Sequence, residues 1–95
     1  MDKFYDDRSK KLFYIIREEL NDFDPLGVIK NNPTLVDEYD MENKLIISVL
    51  NNYSDYKEFA EKICEIFIST TGEKVRVEDG YKCAKNILEK VKPYK

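Results

Sequence analysis

The sequence predicts an all-α protein: a compact array or bundle of about four helices, with a turn-rich junction between the first two and a short extended connection before the last. Three observations carry this expectation. Apolar residues recur at three- and four-residue steps through four separate stretches, the spacing that lines one face of a helix. Breakers gather between those stretches: Pro25, Gly27, Asn31, Asn32 and Pro33 follow the first, and Gly72 follows the third. The alternating run Val75-Arg76-Val77 is too short to stand as a strand without a partner.

The first helix is expected from about residue 5 to 20, where Tyr5, Leu12, Phe13, Ile16 and Leu20 form a stripe that Ile15 widens. The breakers within residues 22–36 end it. Among them, Asp24-Pro25-Leu26-Gly27 has the residue preferences of a type I turn, or of a short helical turn capped by Asp24 with Pro25 at its first position. A second helix starts between Thr34 and Asp40 and turns Tyr39, Ile46, Val49, Leu50 and Tyr53 inward. Ser54 is a good cap for the third, whose inward residues are Tyr56, Phe59, Ala60, Ile63 and Phe67, and Gly72 closes it in a left-handed turn. Residues 72–78 read as an extended connection. The last helix should run from about Asp79 to Lys92, with Tyr81, Ala84, Ile87, Leu88 and Val91 inward and Pro93 as its stop. With no repeat and no Gly/Ser linker, residues 1–95 are expected to form one domain. Most of the seven tyrosines are expected in the core or at its edge, with their hydroxyls at water.

Size and composition narrow the function. A chain of this length buries only about 60 to 65 percent of its unfolded surface. Hollowing out a small-molecule cleft of about 300–1,000 Å³ would remove much of its packing. Surface-mediated function, without a cofactor, is the expectation. The opening Met1-Asp2-Lys3-Phe4-Tyr5-Asp6-Asp7 lacks the apolar run of a signal peptide, and Ser48 cuts the run Leu45-Ile46-Ile47. Neither export by that route nor a membrane span is expected. Cys64 and Cys83 form no Cys-x-x-Cys pair, and the chain has no histidine to complete a zinc site. Reduced thiols in a cytoplasmic protein fit this usage, and a disulfide would require the two helices to face each other. The lack of histidine also removes Ser-His and Cys-His catalysis, and no glycine-rich phosphate loop is present. No catalytic residue is assigned.

What remains is carboxylate chemistry. The net charge is only −3, but residues 18–42 carry Glu18, Glu19, Asp22, Asp24, Asp37, Glu38, Asp40 and Glu42 against a single Lys30. The lysines of the last third are interleaved with Glu73, Glu78, Asp79 and Glu89, which reads as a solvated helix face and argues against nucleic acid. Asp22-Phe23-Asp24-Pro25-Leu26-Gly27 opens like a calcium loop, yet Leu26, Lys30 and Pro33 stand where further ligands would be needed. A weaker magnesium or manganese site would have to be assembled from Asp24, Asp37, Asp40 and Glu42, with nothing in the spacing to set its geometry. Asp37, Glu38, Asp40 and Glu42 lie at the start of the second helix, where the helix dipole favours them. Glu18, Glu19 and Asp22 lie at the end of the first, where it opposes each by about 0.3–1 kcal/mol when exposed. Two explanations compete: pairing with Arg17, Lys30 or a lysine of the last helix, or recognition of a basic partner.

Phe23-Asp24-Pro25-Leu26-Gly27, then Tyr39-Asp40-Met41-Glu42 with apolar Ile46, resemble the YugE-like family of small uncharacterised bacterial proteins. The likeness continues through Ile63-Cys64-Glu65-Ile66-Phe67 and Cys83-Ala84-Lys85-Asn86-Ile87-Leu88 and covers roughly residues 12–90. Phe23 stands where the family usually has tryptophan, and the spacer to the Tyr-Asp element is longer here. The resemblance implies about four helices in a cytosolic bacterial protein and no particular activity.

The function expected is therefore that of a small, acidic, non-enzymatic interaction module, immunity- or antitoxin-like or regulatory. The eight acids of the junction would bind a basic protein surface, without nucleic acid or membrane. The alternative is a carboxylate-based divalent-metal-binding protein or metal-dependent enzyme. A third reading, an oligomeric subunit, would be marked by an apolar helix face left exposed in the monomer.

Overall fold

The computed structural model describes residues 7–94, and its first element follows the apolar periodicity. Helix α1 (Asp7–Phe23) buries Leu12, Ile16 and Leu20 on one stripe, with Phe13 and Ile15 half-buried beside it. Tyr5, expected on the same stripe, lies outside the described residues. The helix continues past Leu20 because no breaker occurs before Pro25. The Asp24 N–H donates to the Leu20 carbonyl at 2.8 Å, and Asp24 then turns left-handed at φ 42°. Aspartate tolerates this region better than most residues because its short side chain can bond locally.

The junction holds one element the breakers did not announce, a single turn α2 (Val28–Asn31). Gly27, left-handed at φ 73°, precedes it, and the Gly27 N–H closes the turn back to the Asp24 carbonyl at 3.0 Å. Asp24 does cap a short helix, but one that begins at Val28, not at Pro25. Helix α3 (Asp40–Val49) starts within the expected window and continues into a 3₁₀ turn (Leu50–Asn52). Tyr39, Ile46 and Leu50 are buried, while Val49 and Tyr53 are half-buried.

Helix α4 (Tyr56–Thr71) is capped by Asp55, whose carboxylate accepts from the Lys57 N–H at 3.0 Å, not by Ser54. Both residue types suit the position; the helix starts at Tyr56, so only Asp55 has the right reach. Gly72 ends it at φ 76°, with its N–H on the Ile68 carbonyl at 2.9 Å. The extended connection stops at Arg76, and α5 (Val77–Val91) begins two residues earlier than expected, with the Asp79 N–H on the Arg76 carbonyl. Lys92–Tyr94, containing Pro93, tighten into a 3₁₀ turn.

The four long helices close into a ring, and no strand occurs among the described residues. α1 packs on α3 and α5, and α4 packs on the same two, so α1 and α4 are diagonal. The edge between α1 and α5 therefore lies opposite the edge between α3 and α4. Phe59, Phe67, Ile16, Leu20, Ile46, Ile63, Ile87 and Val91 fill the centre, each contributing about 1.5–3 kcal/mol by leaving water. No described helix is long and apolar enough to cross a membrane.

α4 and α5 approach closely at Gly80, which is buried. A Cβ built there would meet Cys64 Sγ at 3.6 Å, Phe23 Cζ at 3.7 Å and Ala60 Cβ at 3.8 Å, all ordinary contact distances. Glycine inside a helix is costly relative to alanine because it loses more freedom on folding. Gly80→Ala is therefore expected to raise the unfolding free energy by about 0.5–1 kcal/mol, measured by urea denaturation. A loss of stability would show that the helix approach needs more room than these distances indicate.

Candidate functional site

The eight junction acids divide into two sets. Asp24 is the most engaged. Its carboxylate accepts from the Ile29 N–H at 3.1 Å, the Lys30 N–H at 2.8 Å and the Tyr39 hydroxyl at 2.5 Å. The same hydroxyl accepts from the Leu26 N–H at 3.3 Å. Burial by itself would raise the Asp24 pKa, but the bonds from Tyr39 and from the Lys30, Ile29 and Val28 backbone outweigh it and hold the carboxyl below its ordinary value. Tyr39 is pushed up, first by burial and then by its bond to Asp24. Tyr39 packs inward, as its place on the helix stripe predicts, with its ring edge-on against Phe67 at 5.4 Å between centroids, but its hydroxyl is satisfied inside the protein and not at water.

Glu19 also turns inward and is only 4 % exposed. The Asn86 side-chain N–H donates to Glu19 Oε1 at 3.2 Å and Lys90 Nζ to Oε2 at 2.5 Å, which raises the Lys90 pKa. A lysine of the last helix is thus the partner of this acid, and Lys90 itself sits in the last turn of α5, where the helix dipole favours a cation. Asp40 accepts both arms of the Arg17 fork, at 3.0 and 2.5 Å, and the Arg17 guanidinium lies over the Phe13 and Tyr14 rings at 5.2 and 5.6 Å. Glu42 is buried on the inner side of α3, next to Asn43, whose side-chain N–H donates to the Phe13 carbonyl at 2.9 Å.

Glu18, Asp22, Asp37 and Glu38 remain exposed, and none forms an ion pair with another described residue. Tyr14, Glu18 and Asp22 follow one another at four-residue steps on the outer side of α1. The Asn21 side-chain N–H, donating to the Val36 carbonyl at 2.9 Å, brings the loop with Val36, Asp37 and Glu38 alongside. Tyr14 and Val36 are 59 % and 49 % exposed, Tyr14 with the Arg17 guanidinium over its ring.

On the other side of the same stripe, α1 and α5 enclose a groove of about 460 Å³ lined by Glu19, Asp22, Phe23, Asp79, Lys82 and Asn86, with Cys83 at its base. The groove was not foreseen, because its second wall comes from a helix that begins more than fifty residues after α1 ends. Asp79 read from sequence only as the start of a helix. Cys83 is buried there, and burial, and then the Glu19 charge, push its thiol up to about 12, which disfavours the thiolate. Cys64 and Cys83 are both free and buried, with sulfurs directed to different carbonyls, those of Arg76 and Glu19.

Among the described residues no group of three or more Cys, Asp or Glu is gathered closely enough to hold a metal ion. Asp24, Asp37, Asp40 and Glu42 do not converge: Asp24 faces α2, Asp40 faces Arg17, Glu42 is inside and Asp37 is outside. No family model, no curated protein and no solved structure matches the chain.

The Asp24 and Tyr39 contacts set two expectations. Removing the hydroxyl in Tyr39→Phe should cost about 1.5–3 kcal/mol, the net worth of a hydrogen bond to a charged group. A carboxyl whose folded pKa lies below its unfolded value contributes stability that is complete above the unfolded value, near 3.8, and is lost as pH falls through the folded one. Urea midpoints measured from pH 6 downward should therefore fall less steeply below about pH 4 in Asp24→Asn than in the native chain. Identical acid limbs would assign the acid sensitivity to other carboxyls.

Proposed function

We propose that the chain is a non-enzymatic interaction module that binds a basic protein surface through Glu18, Asp22, Asp37 and Glu38, with Asp79 across the α1/α5 groove. The observation that carries this reading is the exposure of these acids, with no ion pair to another described residue. Two of them, Glu18 and Asp22, stand near the C-terminal end of α1, where the dipole opposes negative charge. Folding accounts for Glu19, Asp24 and Asp40 through bonds they make internally, and the dipole of α3 favours Asp37 and Glu38 ahead of it, but no bond or dipole accounts for Glu18 and Asp22. An exposed aromatic ring on a helix that also exposes acids suits a recognition surface, where the ring contributes area and the charges steer and select.

The concrete form of this reading is an immunity or antitoxin protein, or a regulator, working in the cytoplasm, where two free buried thiols are at home. Membership of the YugE-like family belongs to the same proposal and adds no activity to it. The metal-dependent alternative lacks a supporting cluster among the described residues.

The test is affinity capture at about 50 mM and about 500 mM salt, since screening weakens contacts between exposed charges. The native chain is expected to retain a basic protein at low salt and release it at high salt. A variant carrying Glu18→Gln, Asp22→Asn, Asp37→Asn and Glu38→Gln should lose that protein with no loss of thermal stability. Equal retention by both chains would sink the reading. A rise in Tm on adding Mg²⁺ or Mn²⁺ would instead favour the metal alternative.

A further inference from the structure

The acidic face gains depth in the groove of about 460 Å³ between α1 and α5. Carboxylates stand on both walls: Asp22 on α1 and Asp79 on α5, both exposed, and neither in an ion pair with another described residue. Deeper in, Glu19 is 4 % exposed and is fixed by Asn86 and Lys90. The Asn86 N–H is committed to a carboxylate, which only accepts, so the carbonyl oxygen of that amide is left as a further acceptor on the α5 wall. Phe23 supplies apolar surface. Its ring stands edge-on to Phe67 at 6.4 Å between centroids and reaches α5 at Gly80, yet it is only half-buried, with part of its surface left to the groove.

The end of α1 contributes negative charge of its own. The last carbonyls of a helix are ordinarily satisfied by N–H groups of the residues just beyond it. Here Pro25 has none, the Leu26 N–H donates to the Tyr39 hydroxyl, and the Gly27 N–H donates to the Asp24 carbonyl. The carbonyls of Asn21, Asp22 and Phe23 receive none of the three, so the negative end of the helix dipole lies uncapped beside the groove. The sign is felt on the floor, where burial and then the acids Glu19 and Asp22 push the Cys83 thiol up. Lys82 opposes it, but that side chain is exposed and pairs with no described acid.

Acceptors on both walls, an aromatic surface between them and a negative field fit a planar cation with several donors. A guanidinium brings five N–H donors in one plane, pairs with carboxylates, stacks on rings and is weakly hydrated. An ammonium is a compact, strongly hydrated charge that gains less from a ring or from separated acceptors. We propose that the α1/α5 groove is an arginine pocket: a basic partner inserts one arginine side chain, its guanidinium between Asp22 and Asp79 and against Phe23, with the Asn86 carbonyl as a further acceptor. This rests on the reading of the acidic face as a surface for a basic protein, and it names the residue that anchors that protein, of a type in which binding energy concentrates.

Titration of the full chain with N-acetyl-arginine amide, followed by heteronuclear NMR of the backbone amides, tests the pocket. Saturable shifts are expected at Asp22, Phe23, Asp79 and Asn86, with half-saturation at about 1–10 mM, the range of a small ligand. The citrulline analogue, of the same shape without the charge, and the lysine analogue should each bind about tenfold more weakly. Asp22→Asn and Asp79→Asn should each weaken arginine about three- to tenfold, and Lys82→Gln should strengthen it about twofold by removing an opposing charge; the dispersion of each free variant's spectrum shows that the fold is kept. Shifts that are absent or confined to Tyr14, Glu18 and Glu38 outside the groove overturn the proposal. So does citrulline or lysine binding equal to arginine, or indifference to Asp79→Asn. The probe needs no partner, so the two failures are distinct: a chain that captures a basic protein through Glu18, Asp37 and Glu38 but fails this titration keeps the surface and loses the pocket.

Discussion

The hydroxyl of Tyr39 ties the connection between α1 and α3 to the core. Its ring is buried against Phe67, while its oxygen donates to Asp24 and accepts from the Leu26 N–H. The connection is too polar to bury itself and too rich in proline and asparagine to form a long helix. Its backbone N–H groups at Ile29 and Lys30 instead converge on the Asp24 carboxylate. One buried aromatic residue and one left-handed aspartate thus give sixteen residues of turn, from Asp24 to Tyr39, a defined course. The position of the loop carrying Val36, Asp37 and Glu38 beside α1 follows from that anchorage, with Asn21 holding its outer edge.

The acids of this region serve two different physical ends. Glu19, Asp24 and Asp40 each meet donors that compensate for lost water, and their partners come from α5, α2 and α1 respectively. A carboxylate partly removed from water is tolerable only with such donors, so these three are bound up with the fold. Glu18, Asp22, Asp37 and Glu38 stay in water, where their charges are available to something outside the chain. Sorting by burial and partner, not by count of acids, separates scaffold from surface.

The ring of helices gives the molecule two unlike edges. One, between α1 and α5, is polar and net acidic; the other, between α3 and α4, sets Leu45, Val49 and Ile66 among Ser48, Ser69 and the Lys62–Glu65 pair. A helix buries only one stripe, so the stripes pointing away from the centre keep whatever character the sequence gives them. In α3 that outer stripe is Met41, Leu45 and Ser48, which is why some apolar surface survives on a chain with so many charges.

The amino-acid sequence by itself determined the four long helices, their inward stripes and the Gly72 stop, because these depend on periodicity and backbone preference within a few residues. The exchange of Ser54 for Asp55 at the cap and the earlier start of α5 at Val77 are shifts of one or two residues that local preference does not resolve. It also identified Glu18, Glu19 and Asp22 as acids at an unfavourable helix end. Only the tertiary structure decided which of them had a partner. Glu19 and Lys90 are separated by seventy-one positions, and nothing in the spacing of either reveals the other. The burial of Glu42 and Asn43 and the appearance of a groove between α1 and α5 have the same cause. They depend on which helices become neighbours in the ring, and a one-dimensional pattern records the face a helix turns inward but not the helix that it meets.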